Sequence, residues 1–314
     1  MGRQRKRKGD PVHGWLAVDK PIDITSTQVV GRLKRLYNAQ KAGHGGTLDP
    51  LADGILPIAF GEATKTAQWA MDCDKEYIFT IEWGTSTESH DKEGTVTATS
   101  DVRPSPEEIK AILPDFIGNI QQIPPKYSAI KVDGERAYDL ARDGETFEIP
   151  SREVTVYEAE LVANHDTDYA TIRVVSGKGF YVRAMARDVA QALGAEGHVS
   201  QLRRTRVGAM DEARAVSLSD LEALESDPAA LKEKLQPLQT VIDDIPQVAV
   251  SSDDAAAIKQ GREILLLPHT VEQWKQDRDQ DSDDRLTLAM YDTQAVALGE
   301  VRAGRFQPSK VFQL

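Results

Sequence analysis

Gly43-His-Gly-Gly-Thr-Leu-Asp-Pro-Leu-Ala-Asp-Gly54 is the stretch on which the reading of this chain turns. Glycines at 43, 45 and 46 let a backbone approach another molecule closely, and Asp49-Pro50 fixes a turn. Leu48 and Leu51 can anchor the loop to a core, so the pattern is a carboxylate presented on a braced loop. Spacing alone leaves two readings of Asp49 open, a turn cap and a reactive group. The stretch is not a phosphate loop, because Gly-x-x-x-x-Gly-Lys-Ser/Thr is absent.

Upstream, Gly14 to Val18 reads as a short buried strand. Thr25 or Ser26 can cap a helix whose apolar residues Val29, Val30, Leu33, Leu36 and Tyr37 recur at helical spacing. Downstream, Tyr77 to Gly84 alternates as a half-buried strand should, Pro104 to Ile117 reads as a helix, and Val154 to Val162 and Tyr169 to Ser176 read as strands. Gly177-Lys-Gly179 then leads into a helix from Val182 to Leu193, stopped by Gly194. The polar run 121–152, with Pro124, Pro125, Gly134, Gly144 and Pro150, reads as an excursion holding a short helix, Ala137 to Arg142. Past Ala215 comes an acidic helical stretch, Ser217 to Lys234, and then strand-like runs at Leu286 to Tyr291 and Ala295 to Val301, which place a domain boundary near Ile245.

The 314 residues are 40% hydrophobic and 28% charged, which excludes disordered, collagen-like and disulfide-rich classes. A single cysteine, Cys73, excludes an intrachain disulfide and a Cys-rich zinc site, and its neighbours Asp72 and Asp74 would raise its pKa and dull it as a nucleophile. The basic N-terminus, Arg3 to Lys8, is followed by an apolar run too short for a signal peptide, and no stretch nears the roughly 20 apolar residues of a membrane span. A soluble, cytoplasmic protein is expected. Asp277 to Asp284 begins like a calcium loop but has Ser282 and Leu288 where glycine and glutamate are needed, so a solvated loop is expected there. His90-Asp91 reads as a turn.

The Gly43–Gly54 string resembles the signature of the bacterial TruB family of tRNA pseudouridine synthases. Val18-Asp-Lys-Pro21, Gly61-Glu-Ala-Thr-Lys65, Asp74-Lys-Glu-Tyr77 and Tyr127-Ser-Ala-Ile-Lys131 resemble further family motifs, in the same order. So do Ser176-Gly-Lys-Gly-Phe-Tyr-Val-Arg183 and His198-Val-Ser-Gln-Leu-Arg-Arg204, and the whole likeness spans roughly Gly14 to Leu221. Gly299 to Arg305 and Lys310 to Leu314 are similar to the family's smaller C-terminal domain.

The resemblance implies an α+β fold: a pseudouridine-synthase-like mixed, mainly antiparallel central sheet with flanking helices, plus a small β-rich PUA-like C-terminal domain. The expected organisation is a basic arm over 1–13, a catalytic domain over 14–245 with an inserted thumb loop at about 121–152, and an RNA-binding PUA-like domain over 246–314. The implied reaction is isomerisation of uridine to pseudouridine at position 55 in the TΨC loop of tRNA, by base flipping and without guide RNA. Asp49 falls on the family's nucleophile. The chemistry suits it, since an aspartate carboxylate is ionised at neutral pH without help from a general base. By the same resemblance, Arg183 pairs with that carboxylate and Tyr77 stacks on the base. Tyr181 and Leu202 line the base pocket, His44 contacts the flipped-out region, and Lys20 gives structural or electrostatic support within the substrate-binding set. Lys126, Lys131, Arg136 and Arg142 are expected to be the thumb's phosphate partners. No cofactor and no metal are implied. The expected partner is the tRNA T-arm, with no membrane and no obligate protein partner, and the chain is expected to be a monomer. Two alternatives stand beside this reading. One is a guide-RNA-directed synthase, whose motif lacks the histidine. The other is a non-catalytic tRNA-binding or folding module, against which the joint presence of Asp49, Tyr77 and Arg183 argues.

A net charge of −12 speaks against nucleic acid only as a total. Val207 to Leu314 holds 11 Lys and Arg against 20 Asp and Glu, a balance of −9, so most of the excess acid lies outside the motifs. The bases cluster at the N-terminal arm, at Arg32 to Lys41, and from Lys178 to Arg206, where Arg183, Arg187, Arg203, Arg204 and Arg206 outnumber Asp188 and Glu196, and a basic RNA-binding cleft on an acidic body is expected.

Overall fold

The glycine-rich loop leaves one strand and enters another inside a ten-stranded sheet. A computed structural model of the chain describes residues 9–128, 130–132, 134–143, 145, 147–277 and 285–314. The basic run Arg3 to Lys8 and all but the first residue of the acidic run 277–284 lie outside the described residues.

In chain order the first strands are β1 (Gly14–Lys20), β2 (Ala42–His44), β3 (Asp53–Phe60), β4 (Lys75–Trp83), β5 (Thr85–Thr87), β6 (Val96–Thr99) and β7 (Gly118–Gln122). They continue with β8 (Lys131–Val132), β9 (Glu135–Arg136), β10 (Arg152–Asp166), β11 (Tyr169–Ser176), β12 (Gly197–Val207), β13 (Met210–Asp211) and β14 (Val216–Ser217). The main sheet runs β14-β1-β3-β12-β4-β11-β10-β7, with β2 on β3 and β13 on β12. Its pairs are antiparallel except β1 with β14 and β3 with β12. It is the mixed, mainly antiparallel sheet expected. β12 at its centre was not expected as a strand, nor was β3.

Two helices cover the sheet near the loop. Ser26–Leu36 starts at Thr25, whose side chain accepts from Gln28 N–H while Gln28 Oε1 accepts from Thr25 N–H, a reciprocal capping box. Val29 and Leu33 turn into the core, and so does Ser26, whose hydroxyl bonds both the N–H and the carbonyl of Leu48 at 2.9 Å. Val182–Ala192 buries Val182, Met185 and Val189 at helical spacing. These side chains pack with Leu16, Val18, Leu48, Leu51, Ile58, Phe79, Ile172 and Leu202 in one core.

The thumb leaves the sheet after Gln122 and returns at Arg152, two residues that pair across β7 and β10. The excursion is therefore 123–151, slightly shorter than expected, because the polar residues at its ends are strand residues. Past Ile245, β15 (Gln247–Ala249), β16 (Ile264–Leu265), β17 (Leu286–Tyr291), β18 (Gln294–Arg302) and β19 (Arg305–Val311) form a second sheet in the order β15-β17-β18-β19-β16. Leu288, Leu298 and Phe312 of this β-rich unit share a core with Trp15, Ala17, Ile55 and Ala59 of β1 and β3, so the two sheets meet along an apolar seam.

Candidate active site

The loop 43–54 is held from behind by side chains that donate to its carbonyls. Arg204 of β12 is almost wholly buried and gives Nε to Ile55 O at 2.7 Å, Nη1 to Thr47 O at 3.1 Å and Nη2 to Gly46 O at 3.2 Å. Gly54, opposite Arg204, has φ 101°, and a Cβ there would stand 2.2 Å from Arg204 O, so only glycine fits this crossing. Lys20 at the end of β1 gives Nζ to Pro21 O at 2.9 Å, Ile24 O at 3.0 Å and Pro50 O at 3.4 Å. Burial pulls its ammonium down to about 8, against the opposing pull of Asp53 and Asp49. Lys20 has no exposed surface, and its ammonium braces the loop from beneath.

In front of the loop are two cavities. The inner one, of about 360 Å³, is lined by Asp49, Tyr77, Tyr181, Arg183 and Leu202, together with Lys75, Ser128 and Arg204. The outer one, of about 580 Å³, is lined by His44, Asp49, Asp91, Tyr127, Ser128 and Arg183 among others. Asp49 and Arg183 stand on their common wall, with Arg183 Nη2 2.8 Å from Asp49 Oδ2. The same guanidinium reaches Asp91 Oδ2 at 3.3 Å and donates to Ser89 O at 3.2 Å and Tyr127 O at 2.9 Å. Arg183 thus bridges two carboxylates that differ in access: the Asp91 side chain is 2% exposed and that of Asp49 33%.

Asp91 is the site residue that the sequence reading missed. It does sit in a turn, where Oδ1 accepts from Ser89 Oγ at 2.5 Å and from Glu93 N–H at 3.0 Å. Nothing local separates it from any turn aspartate. Its approach to Arg183 follows from the bridge that pairs Asp91 with Val199 of β12. His90 beside it has φ 61°, and burial, with Arg187 and Arg183 adding to it, pulls its imidazole down to about 4.

The structure brings Tyr77, Tyr181 and Leu202 to the inner cavity with Asp49. Tyr77 comes from β4 and Leu202 from β12, while Tyr181 caps the helix Val182–Ala192 and is fixed by backbone bonds to the Gln122 amide at 2.8 and 3.1 Å. His44, on β2, stands apart from them on the outer cavity. Burial, with Arg204 nearby, lowers its imidazole pKa, and its Nδ1 has no hydrogen-bond partner.

For the arginines between 183 and 206 the expected basic cleft needs correction. Arg183 and Arg204 are used internally, Arg203 is tied to Asp19, Asp53 and Glu212, and Arg187 to Asp188 and Ile123 O. Arg206 lines a separate cavity with Asp72, Asp74, Asp243 and Asp244. Long arginines in a sheet are retained where carboxylates and carbonyls satisfy them, so this cluster is mostly architecture. Exposed positive charge is found instead at Arg32, Lys34, Arg35 and Lys41, at Lys178, and on the thumb at Lys126, Lys131 and Arg142, with Arg142 lying 5.3 Å from the Tyr138 ring centroid. The side chain of Arg136 lies outside the described residues. Cys73 is half-buried, and burial raises its thiol pKa.

Residues 34–182 match the model of the TruB family pseudouridylate synthase N-terminal domain, and 183–243 match that of the tRNA pseudouridylate synthase B C-terminal domain. The tRNA pseudouridine synthase B of Caulobacter vibrioides is 56% identical over 310 residues, covering 99% of this chain and 99% of its own. That of Rhizobium johnstonii is 47% identical over 319 residues, covering 99% of this chain and 100% of its own. Among solved structures, a chain of a Cbf5-Nop10-Gar1 complex superposes with a TM-score of 0.71 at 24% identity, covering 99% of this chain and 91% of that one, a likeness of fold.

Proposed function

The chain belongs to the TruB family of pseudouridylate synthases and is a tRNA pseudouridine synthase, and from that premise we propose that it acts on uridine 55 in the TΨC loop with Asp49 as nucleophile. The observation that carries this reading is the 2.8 Å pair of Asp49 and Arg183 on the wall shared by the two cavities. Isomerisation requires that the C1′–N1 bond break, that C1′ join C5, that C5 lose its proton and that N1 gain one. Those needs are a nucleophile at the sugar and a slot in which the freed ring can turn.

The buried partner of Arg183 is Asp91, so the guanidinium remains paired when Asp49 turns toward substrate. An unpaired buried cation would otherwise oppose that motion. Tyr77 stacks on the base and stands where the C5 proton leaves, while Tyr181 and Leu202 close the slot. Flipping the nucleotide costs a few kcal/mol, which contacts in the outer cavity, at His44 and along the thumb, offset. The resemblance supports a cytoplasmic monomer that needs no protein partner, and supports RNA binding by the unit over 246–314.

The test is to incubate the protein alone with an unmodified tRNA transcript and map pseudouridine. Product at position 55 is expected. Product elsewhere would overturn the choice of target, and product only with added guide RNA would favour the guide-directed alternative.

A further inference from the structure

Among the described residues, the buried side-chain polar atoms without a hydrogen-bond partner are His44 Nδ1, Trp83 Nε1, Ser128 Oγ, Arg152 Nη2 and Ser176 Oγ. A dry hydroxyl left unpaired is destabilising, so such atoms are rare and call for a partner. Of these residues only Ser128 lines both cavities. Its backbone is already committed: Ser128 N–H donates to Lys126 O at 3.0 Å, and its carbonyl accepts from Tyr138 N–H at 3.0 Å. The preceding carbonyl, Tyr127 O, accepts from Arg183. The segment is thereby fixed beside the Asp49 pair, and the 5%-exposed serine keeps one uncommitted group, its hydroxyl.

The residues common to both cavities are Thr47, Leu48, Asp49, Ser128 and Arg183, and they define the seam between the slot and the outer groove. Resting on the reading above, a flipped nucleotide places its base in the slot and its backbone in the groove. Its sugar then lies at the seam, with C1′ at Asp49. An internal ribonucleotide has one free sugar hydroxyl, the 2′-hydroxyl, on the carbon next to C1′. It both donates and accepts, as the serine hydroxyl does, and it is what separates RNA from DNA. We propose that Ser128 Oγ hydrogen-bonds the 2′-hydroxyl of the target uridine and so selects a ribose at that position.

Two T-arm hairpins, identical but for uridine or 2′-deoxyuridine at the target, provide the test with wild type, Ser128→Ala and Ser128→Thr. Equilibrium binding is the readout, taken with Asp49→Asn added to all three proteins so that no turnover changes the base in either hairpin. Wild type is expected to prefer the ribose hairpin by about 3- to 10-fold, the range of a neutral hydrogen bond. Ser128→Ala is expected to bind both hairpins alike, at the deoxyribose level, and Ser128→Thr to keep the preference. A preference that survives in Ser128→Ala, its absence in wild type, or an equal loss on both hairpins would overturn the proposal. If wild type with Asp49 intact forms no pseudouridine in the ribose hairpin, the reading of the whole site fails, an outcome visible apart from the binding ratio.

Discussion

The loop 43–54 and the thumb 123–151 border the same cavities, yet the loop is tied to the body at each turn while the thumb, among its described residues, has fewer ties. Arg204, Lys20 and Ser26 bond the loop from β12, β1 and a helix, and Asp23 N–H donates to Pro50 O at 2.8 Å. The thumb is reached from the body by Arg183 at Tyr127 O and by Arg187 at Ile123 O, and its described cations Lys126, Lys131 and Arg142 face solvent. The difference separates two tasks. With Asp49 as the proposed nucleophile, its position is fixed before RNA arrives, which lowers the barrier through orientation, whereas the proposed recognition of RNA falls to a segment with exposed cations.

If that division holds, substitutions in the loop should act on turnover and those in the thumb on affinity. Asp49→Asn should lower single-turnover pseudouridine formation by about 1,000-fold or more while leaving tRNA affinity within a few-fold. Turnover near the parent rate would break the assignment. Arg183→Met comes next. It leaves Asp49 and Asp91 as uncompensated neighbours, so a loss of activity should be accompanied by about 3–5 kcal/mol of stability in urea unfolding. An unchanged midpoint would show that the buried pair with Asp91 is not holding the site.

Lys20→Met tests the brace. Three carbonyls lose their donor, a cost of roughly 1–3 kcal/mol each when left dry, partly offset because a buried cation is also removed. The expected signature is a modest net loss near neutral pH with a fall in kcat and little change in KM. The pH dependence isolates the residue. The folded state holds Lys20 at about 8 against 10.5 in a free lysine, so between these values the unfolded chain binds more protons and stability rises with pH. Wild type should therefore gain on Lys20→Met as pH rises from about 8 to 10.5 in paired urea titrations. A constant gap would show that Lys20 is not held down.

How much of this was legible depends on where each residue finds its partners. The helix Ser26–Leu36 and the strand Tyr169–Ser176 could be read because capping and alternation are local signals. β3 was missed because Gly54 and Pro57 break its pattern; the proline is tolerated where β12 pairs only with Asp53 and Gly54. β12 was missed because its arginines look solvated. Their partners, Asp19, Asp53 and the carbonyls of Gly46, Thr47 and Ile55, are more than a hundred residues away. The same distance turned a supposed basic cleft into internal scaffolding. Asp49 and Arg183 were named through the resemblance, but Asp91 needed the fold.

That correction sharpens the smallest expected effect. With Arg183, Arg203 and Arg204 committed internally, the exposed cations beside the cavities that can meet RNA phosphates include Lys126, Lys131 and Arg142 of the thumb and Lys92 and Lys178. Each counterion-releasing contact contributes about 0.7 to 0.9 to the slope of log affinity against log salt. Arg142→Ala should therefore weaken tRNA binding a few-fold, reduce that slope by just under one and leave single-turnover rates at saturating enzyme unchanged. Arg203→Ala, in contrast, should leave the slope unchanged and reduce stability, because it strands Asp19, Asp53 and Glu212. If the two variants exchange these signatures, the arginines of β12 face RNA after all, and the division between a fixed loop and a recognising thumb is wrong.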